Sequence, residues 1–267
     1  KWTIDRRKSF RKNNLMLHFD DIVFGPISSR RLGSSLGVNL LPSKGKLCNF
    51  DCIYCECGWN KDGRGDSQFP SLEDVKKALS QRISELSVEG TPVDSITFSG
   101  NGEPTLHPHF PEIVDTVLEL RDRFYPMAKV SVLSNATMLG REPVRQALMK
   151  IDNPILKIDA SDNRLIGLIN KPVGNYDLHK VVEWIKVFNG DFVLQTMFLR
   201  SPEFDLSDEG QLSAWMDIVR EIKPREIMVY TIDRETPDKS LGKYTVDEMR
   251  SFVAPLVDEG YKIQIRG

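Results

Sequence analysis

Four cysteines, Cys48, Cys52, Cys55 and Cys57, fall within ten residues, and the rest of the 267-residue chain has none. Steps of four, three and two residues let several thiolates converge on one centre. A structural zinc site normally draws two ligand pairs from separate turns. A disulfide framework spreads its cysteines through a small secreted chain. One compact loop rich in thiolates instead suits an iron–sulfur cluster, which cysteine normally holds. The competing reading is a closed site, zinc or a purely structural cluster, in which Cys57 supplies a fourth ligand. Cys57 can also be a hydrogen-atom donor or a spectator, and spectator is the preferred assignment.

A second stretch with chemical potential reads Ser99-Gly100-Asn101-Gly102-Glu103-Pro104. Its glycines allow positive φ and let backbone carbonyls approach a ligand closely. Glu103 has the charge to complement an ammonium group. The plain alternative is a tight strand–helix turn, which Gly and Pro also produce.

These stretches need elements to position them. From residue 35 onward, apolar strand-like runs alternate with helical patterns. Strands are expected at Ser35–Leu41, Val93–Phe98, Lys129–Leu133, Pro154–Ile158, Phe192–Phe198 and Glu226–Ile232, with a further run at Tyr261–Ile265. Helices are expected from Ser71, from Pro111, over 141–150, over 177–188, around Leu212–Ile222, and after Thr245, where Glu248 completes a capping-box pattern. Strands separated by helices imply parallel βαβ units, in an incomplete barrel or an open doubly wound sheet. In either, active residues collect at the carboxyl ends of strands. The cysteine loop follows the first expected strand and so belongs at that end.

Cys48-xxx-Cys52-xx-Cys55, with Tyr54 just before the third cysteine, resembles the signature of the radical S-adenosylmethionine (radical SAM) superfamily. The 99–104 stretch is similar to that family's GGE motif, with Asn101 in place of the first glycine. The resemblance implies a partial (β/α)6 TIM-like barrel with parallel strands. It also implies a [4Fe–4S] cluster held by Cys48, Cys52 and Cys55, whose fourth iron is chelated by SAM. Reductive cleavage of SAM then gives a 5′-deoxyadenosyl radical that abstracts a hydrogen atom. By the same resemblance Tyr54, Gly100, Asn101, Gly102 and Glu103 belong to the SAM site. Ser134, Asn135, Lys157, Asp159 and Ser161 then lie near its carboxylate and ribose, and Gln195, Tyr230 and Thr231 near its adenine. Each of these has the plain alternative of a turn former or a satisfied buried polar residue, and on strand-end position alone Asn135, Asp159 and Ser161 are equally ligands or not. A flavodoxin- or ferredoxin-like electron donor is implied, because no flavin or nicotinamide site is legible.

The Gly-, Ser- and Arg-rich segment from Gly25 to Gly37 resembles the region before the cluster in a subgroup of Fe–S oxidoreductases related to wyosine-type tRNA-modifying enzymes. Arg30 and Arg31 either hold a substrate phosphate or carboxylate or pair with acids of the barrel. The substrate is a small molecule, a peptide or tRNA. A tRNA-modifying enzyme and a non-catalytic zinc or iron–sulfur module are the alternatives to a radical SAM enzyme of unidentified substrate.

Bulk properties narrow this further. The net charge of −2, from 36 basic and 38 acidic residues, gives no global nucleic-acid signature. Lys1, Arg6, Arg7, Lys8, Arg11 and Lys12 form a basic terminus, read as a solvated segment in preference to an RNA-binding arm. The domain reading is a basic extension over 1–23 and one core domain over 24–267. No apolar run is long enough to span a membrane, and no secretory signal is evident, so a reducing cytoplasm is expected. With no cysteine after Cys57, no auxiliary cluster domain is expected. His107 and His109 are read as a surface turn. Trp2, Trp59, Trp184 and Trp215 are assigned to packing.

Overall fold

The computed structural model describes residues 19–29, 32–63 and 67–267. The basic residues of the terminus, with Arg30 and Arg31, lie outside the described residues, as do Trp2 and His18. The chain divides into two compact units. The first takes the described residues up to Cys48, with Cys57–Leu133 and Gln146–Asn153; the second takes Asn49–Glu56, Ser134–Arg145 and Pro154–Gly267.

In the first unit, β1 (Val23–Ser29) and β2 (Gly33–Val38) form an antiparallel hairpin whose register slips between Phe24 and Ile27. Then β2 pairs in parallel with β3 (Ser95–Phe98), and β3 with β4 (Lys129–Ser134). α1 (Leu72–Val88) starts where the Ser71 hydroxyl accepts the Asp74 backbone N–H, and its 3.6-residue period buries Val75, Leu79, Ile83 and Leu86. α2 (Phe110–Phe124) buries Phe110, Ile113, Val114 and Val117. All four residues of β3 are buried, including Ser95 and Thr97. Their hydroxyls bond to each other and onward to Ser35 and Ser131, so no polar group there is left unmatched. α3 (Glu142–Met149) follows β4 in the chain.

The second unit continues the alternation. It contains β5 (Asn153–Lys157), α4 (Asn163–Ile169), α5 (Leu178–Lys186) and β6 (Val193–Met197). A small antiparallel hairpin follows, β7 (Arg200–Ser201) with β8 (Phe204–Asp205). Then come α6 (Glu209–Ile222), β9 (Glu226–Tyr230), α7 (Val246–Asp258) and β10 (Ile263–Arg266). β5–β6, β6–β9 and β9–β10 are all parallel pairs. β6 is buried along its whole length, as expected of a strand covered on both faces. Trp215 lies in the core, and its indole N–H donates to Thr196 at 3.2 Å.

Apart from the β1–β2 and β7–β8 hairpins, the strand pairs are parallel and alternate with helices, the expected α/β class. The strands expected at 93–98, 129–133, 154–158, 192–198, 226–232 and 261–265 appear as β3, β4, β5, β6, β9 and β10. Four elements escaped sequence reading: β1, α4 and the short pair β7 and β8. β1 carries Gly25-Pro26 and two serines, which read as a loop, so the cysteine loop follows the second strand of the chain and not the first. α4 was hidden by the polar run in front of it.

The capping box at α7 has both of its hydrogen bonds, Thr245 Oγ1 with the Glu248 N–H and the Glu248 carboxylate with the Thr245 N–H. Thr245→Ala is expected to cost about 1 kcal/mol, seen as a melting temperature lower by about 2–4 °C.

Candidate active site

In the second unit, residues 49–56 have no regular secondary structure and depend on other elements for their path. The end of α4 supplies it. Asp162 caps α4 by accepting the Leu165 N–H, and Leu165, Ile166 and Ile169 bury its apolar face. The carboxyl end of the helix then meets the cysteine loop. Asp51 N–H donates to the Asn170 carbonyl at 2.8 Å and Ile53 N–H to the Ile169 carbonyl at 3.0 Å. Just beyond, Val173 N–H donates to the Asn49 carbonyl at 2.8 Å, and Phe50 bridges to Pro172. The Asn49 side chain is clamped as well: Asn135 Nδ2 donates to its Oδ1 at 2.7 Å, and its own amide donates to Thr137 Oγ1.

Cys52 sits beside a buried polar cluster. The Asn170 side-chain amide faces Asp159 Oδ2 at 2.6 Å, Tyr54 Oη at 3.1 Å and Cys52 Sγ at 3.3 Å. Asp159 Oδ2 also accepts the Tyr54 hydroxyl, while Oδ1 accepts the Met197 N–H at 2.9 Å and lies 3.2 Å from the Lys157 ammonium. Lys157 donates to Tyr230 Oη at 2.7 Å and lies about 5 Å from the centres of both the Tyr54 and Tyr230 rings.

The electrostatics follow from burial. Removal from water, with Cys55 and Asp159 nearby, pushes the Cys52 thiol up to about 11. Burial and the Asp159 charge raise the Tyr54 phenol. For Lys157, burial works toward the neutral form, but Asp159 and Tyr230 outweigh it and hold the ammonium above the ordinary lysine range.

In the first unit, the residue before Cys48 is joined to the glycine turn. Leu47 N–H donates to the Asn101 carbonyl at 2.8 Å, and Glu103 N–H donates to the Leu47 carbonyl at 3.2 Å. This pairing requires glycine at 102, where φ is +137° and a Cβ would overlap the Leu47 carbonyl oxygen. Asn101 has no exposed surface, and its side chain is committed to structure: Oδ1 accepts the Phe19 N–H, and Nδ2 donates to the carbonyls of Phe19 and Pro42. The Glu103 carboxylate is buried and accepts both the N–H and the hydroxyl of Thr105. Beyond the loop, Lys46 Nζ donates to the Gly58 carbonyl, Asn60 donates to the Cys48 carbonyl, and Cys57 Sγ lies 3.5 Å from the Gly100 carbonyl.

The other sequence-predicted residues divide by what they touch. Ser134 Oγ accepts the Ala136 N–H, Ser161 donates to Gln211, and Thr231 Oγ1 accepts the Tyr244 N–H. Gln195 is buried within β6. His107 departs from the expected surface turn: it is 1% exposed. Its Nδ1 accepts the His109 N–H, which leaves Nε2 to donate to the Pro70 carbonyl. Burial holds its pKa below the ordinary histidine value, so it serves as a neutral structural residue. Asn170 was missed, although Asp162 followed by Leu165, Ile166 and Ile169 is a capped helical pattern that leads to it.

Among the described residues no group of three or more His, Cys, Asp and Glu side chains stands ready to hold a metal ion. What fits an iron–sulfur cluster is the donor chemistry. All four cysteines are free of disulfides, thiolates suit iron in such clusters, and an N–H dipole already faces the Cys52 sulfur. Metal binding to cysteine requires the thiolate and releases its proton, so a cluster bound here would work against the burial that favours the Cys52 thiol.

A family model described as the Radical SAM superfamily matches residues 43–193. A UPF0026 protein of Helicobacter pylori is 33% identical over 232 residues, which cover 85% of this chain and 71% of that protein. Among solved structures, Streptococcus suis SuiB bound to S-adenosylmethionine aligns with a TM-score of 0.62 at 17% identity, over 86% of this chain and 50% of that one. The chain thus spans about half the length of SuiB. A radical SAM methyltransferase from Sphaerobacter thermophilus aligns with a TM-score of 0.65 at 12% identity, over 87% of this chain and 65% of that one. The chain shares the fold of both. No helix among the described residues is long and apolar enough to cross a membrane.

Gly102→Ala is expected to cost more than about 1 kcal/mol, because alanine is strained at that φ and its Cβ displaces Leu47. Urea denaturation reads the loss. Gly90→Ala, also at positive φ but with open space around it, separates the backbone cost from the overlap.

Proposed function

The chain belongs to the radical SAM superfamily, and on that premise we propose that it is an enzyme that reductively cleaves S-adenosylmethionine and directs the resulting radical at a substrate not yet identified. The observation that carries this reading is the double hydrogen bond between Leu47 and the Asn101–Glu103 backbone. It makes the start of the cysteine motif and the glycine turn one piece of backbone, and two motifs of one chemistry gain from being held together.

Cys48, Cys52 and Cys55 would hold a [4Fe–4S] cluster. When bound, that cluster would supply the low-potential electron for reductive cleavage of SAM. The protein's part is placement. Gly100 and Gly102 keep the turn free of side chains, so that backbone carbonyls can face the SAM ammonium. Glu103 adds negative charge there, with Thr105 fixing its rotamer. Asn101 braces the turn through Phe19 and Pro42 instead of touching the ligand.

In the second unit, Lys157 is a charge suited to a carboxylate, with Asp159 and Tyr230 setting its position. Asp159 and Ser161 lie on the segment where ribose hydroxyls are bound. Gln195, Tyr230 and Thr231 line the adenine end. Tyr54 presents its ring beside the cysteines while its hydroxyl is tied to Asp159. The Sγ contact of Cys57 with the Gly100 carbonyl supports its role as a spectator. The electron comes from an external flavodoxin- or ferredoxin-like donor.

Anaerobic reconstitution with iron and sulfide, followed by dithionite and SAM, tests the proposal. Four irons per chain and production of 5′-deoxyadenosine are expected. Stoichiometric zinc with no SAM cleavage sinks it in favour of a binding module. Cys52→Ala is expected to stay folded and lose both the cluster and SAM cleavage, whereas Cys57→Ala is expected to keep the cluster.

A further inference from the structure

The side-chain amide of Asn170 has two hydrogens and faces three acceptors. The shortest contact, 2.6 Å to Asp159 Oδ2, takes one hydrogen. The second is shared between Tyr54 Oη at 3.1 Å and Cys52 Sγ at 3.3 Å, and the sulfur distance is short for so large an acceptor atom. Tyr54 spends its own hydroxyl hydrogen on Asp159. Once Cys52 is an anionic ligand it becomes the stronger acceptor, because hydrogen bonds to charged groups exceed neutral ones.

The amide cannot face the other way. Reversal would set its oxygen against a carboxylate, a phenol oxygen and a sulfur at once. As placed, Asn170 Oδ1 is buried without a hydrogen-bond partner among the described residues, a cost that native interiors usually avoid. The same residue also holds the loop through its backbone, accepting the Asp51 N–H at 2.8 Å. One residue thus fixes both the path of the loop and the hydrogen bonding of the sulfur.

We propose that Asn170 is a positioning residue that donates a hydrogen bond to the Cys52 sulfur and so stabilises the reduced cluster; this rests on the function proposed above. One electron from an external low-potential reductant adds negative charge that spreads onto the thiolate ligands. An N–H dipole aimed at a ligand sulfur favours that more negative state, and hydrogen bonds to sulfur are among the levers that set cluster potentials. No bond to Asn170 is made or broken in the step.

Asn170→Leu tests this, because leucine matches the shape and has no donor. Reconstituted wild-type and variant chains are titrated with dithionite and mediators in the absence of SAM, and the reduced cluster is followed by electron paramagnetic resonance. At the wild-type midpoint, the ratio of reduced to oxidised cluster is expected to fall at least about threefold in the variant. That corresponds to a potential lower by about 28 mV at 59 mV per decade for one electron.

An unchanged or raised midpoint with iron content intact overturns the proposal. Loss of iron from a folded variant also overturns it, since three thiolates should hold the irons without Asn170. If Asn170→Leu does not fold, Asn170→Ala reads the same midpoint; failure of both to fold makes Asn170 a packing residue and ends the proposal. A wild-type chain that assembles no four-iron cluster is a different failure, that of the proposed function itself.

Discussion

A thiol placed out of water beside a carboxylate resists ionisation, and the second unit is arranged around that difficulty. Cys52 has Asp159 and Cys55 for neighbours, both of which oppose a thiolate. Lys157 and the Asn170 amide work in the other direction. Neither offsets the penalty in full. The balance favours the protonated thiol at Cys52. Asp159 is the hub: it takes bonds from Tyr54, Asn170 and Met197, and it anchors Lys157. Replacing it would disturb the loop, the lysine and the tyrosine together.

Both motifs lie on irregular backbone, which has no ladder of its own to hold it. The protein compensates with partners from regular elements or their ends. The Asn101–Glu103 turn borrows Leu47, and residues 49–53 borrow the last carbonyls of α4 and the residues just after it. Helix carbonyls at that end have no partners within the helix, so docking the loop there satisfies both sides. The result is irregular backbone with bridge-type hydrogen bonding in each unit.

Much of this was legible from residue types and spacing. The cysteine steps and the glycine turn pointed to the family, and regular alternation of apolar runs identified parallel strands, because buried strands are continuous in their hydrophobicity. What stayed hidden depended on contacts distant in sequence. Asn101 looked like a ligand because it stands in a ligand motif, yet its partners Phe19 and Pro42 lie outside that motif. His107 looked exposed because Pro and His crowd a turn, but Phe69 and the Pro70 carbonyl cover it. α4 was obscured because Asp159 and Ser161, just before it, read as candidate ligands at a strand end. Only Asp162 is a cap, and the short helix it starts ends at Asn170, the residue that reaches Cys52.

Three cysteine sulfurs gripping the cluster would leave one iron for the methionine end of SAM. Mössbauer spectroscopy of the chain reconstituted with iron-57, recorded before and after SAM is added, reads this directly. One iron in four should change its isomer shift on SAM binding while the other three stay as they were. Four irons that remain indistinguishable with SAM present would mean that every corner is already closed by the protein and would contradict ligation by three cysteines.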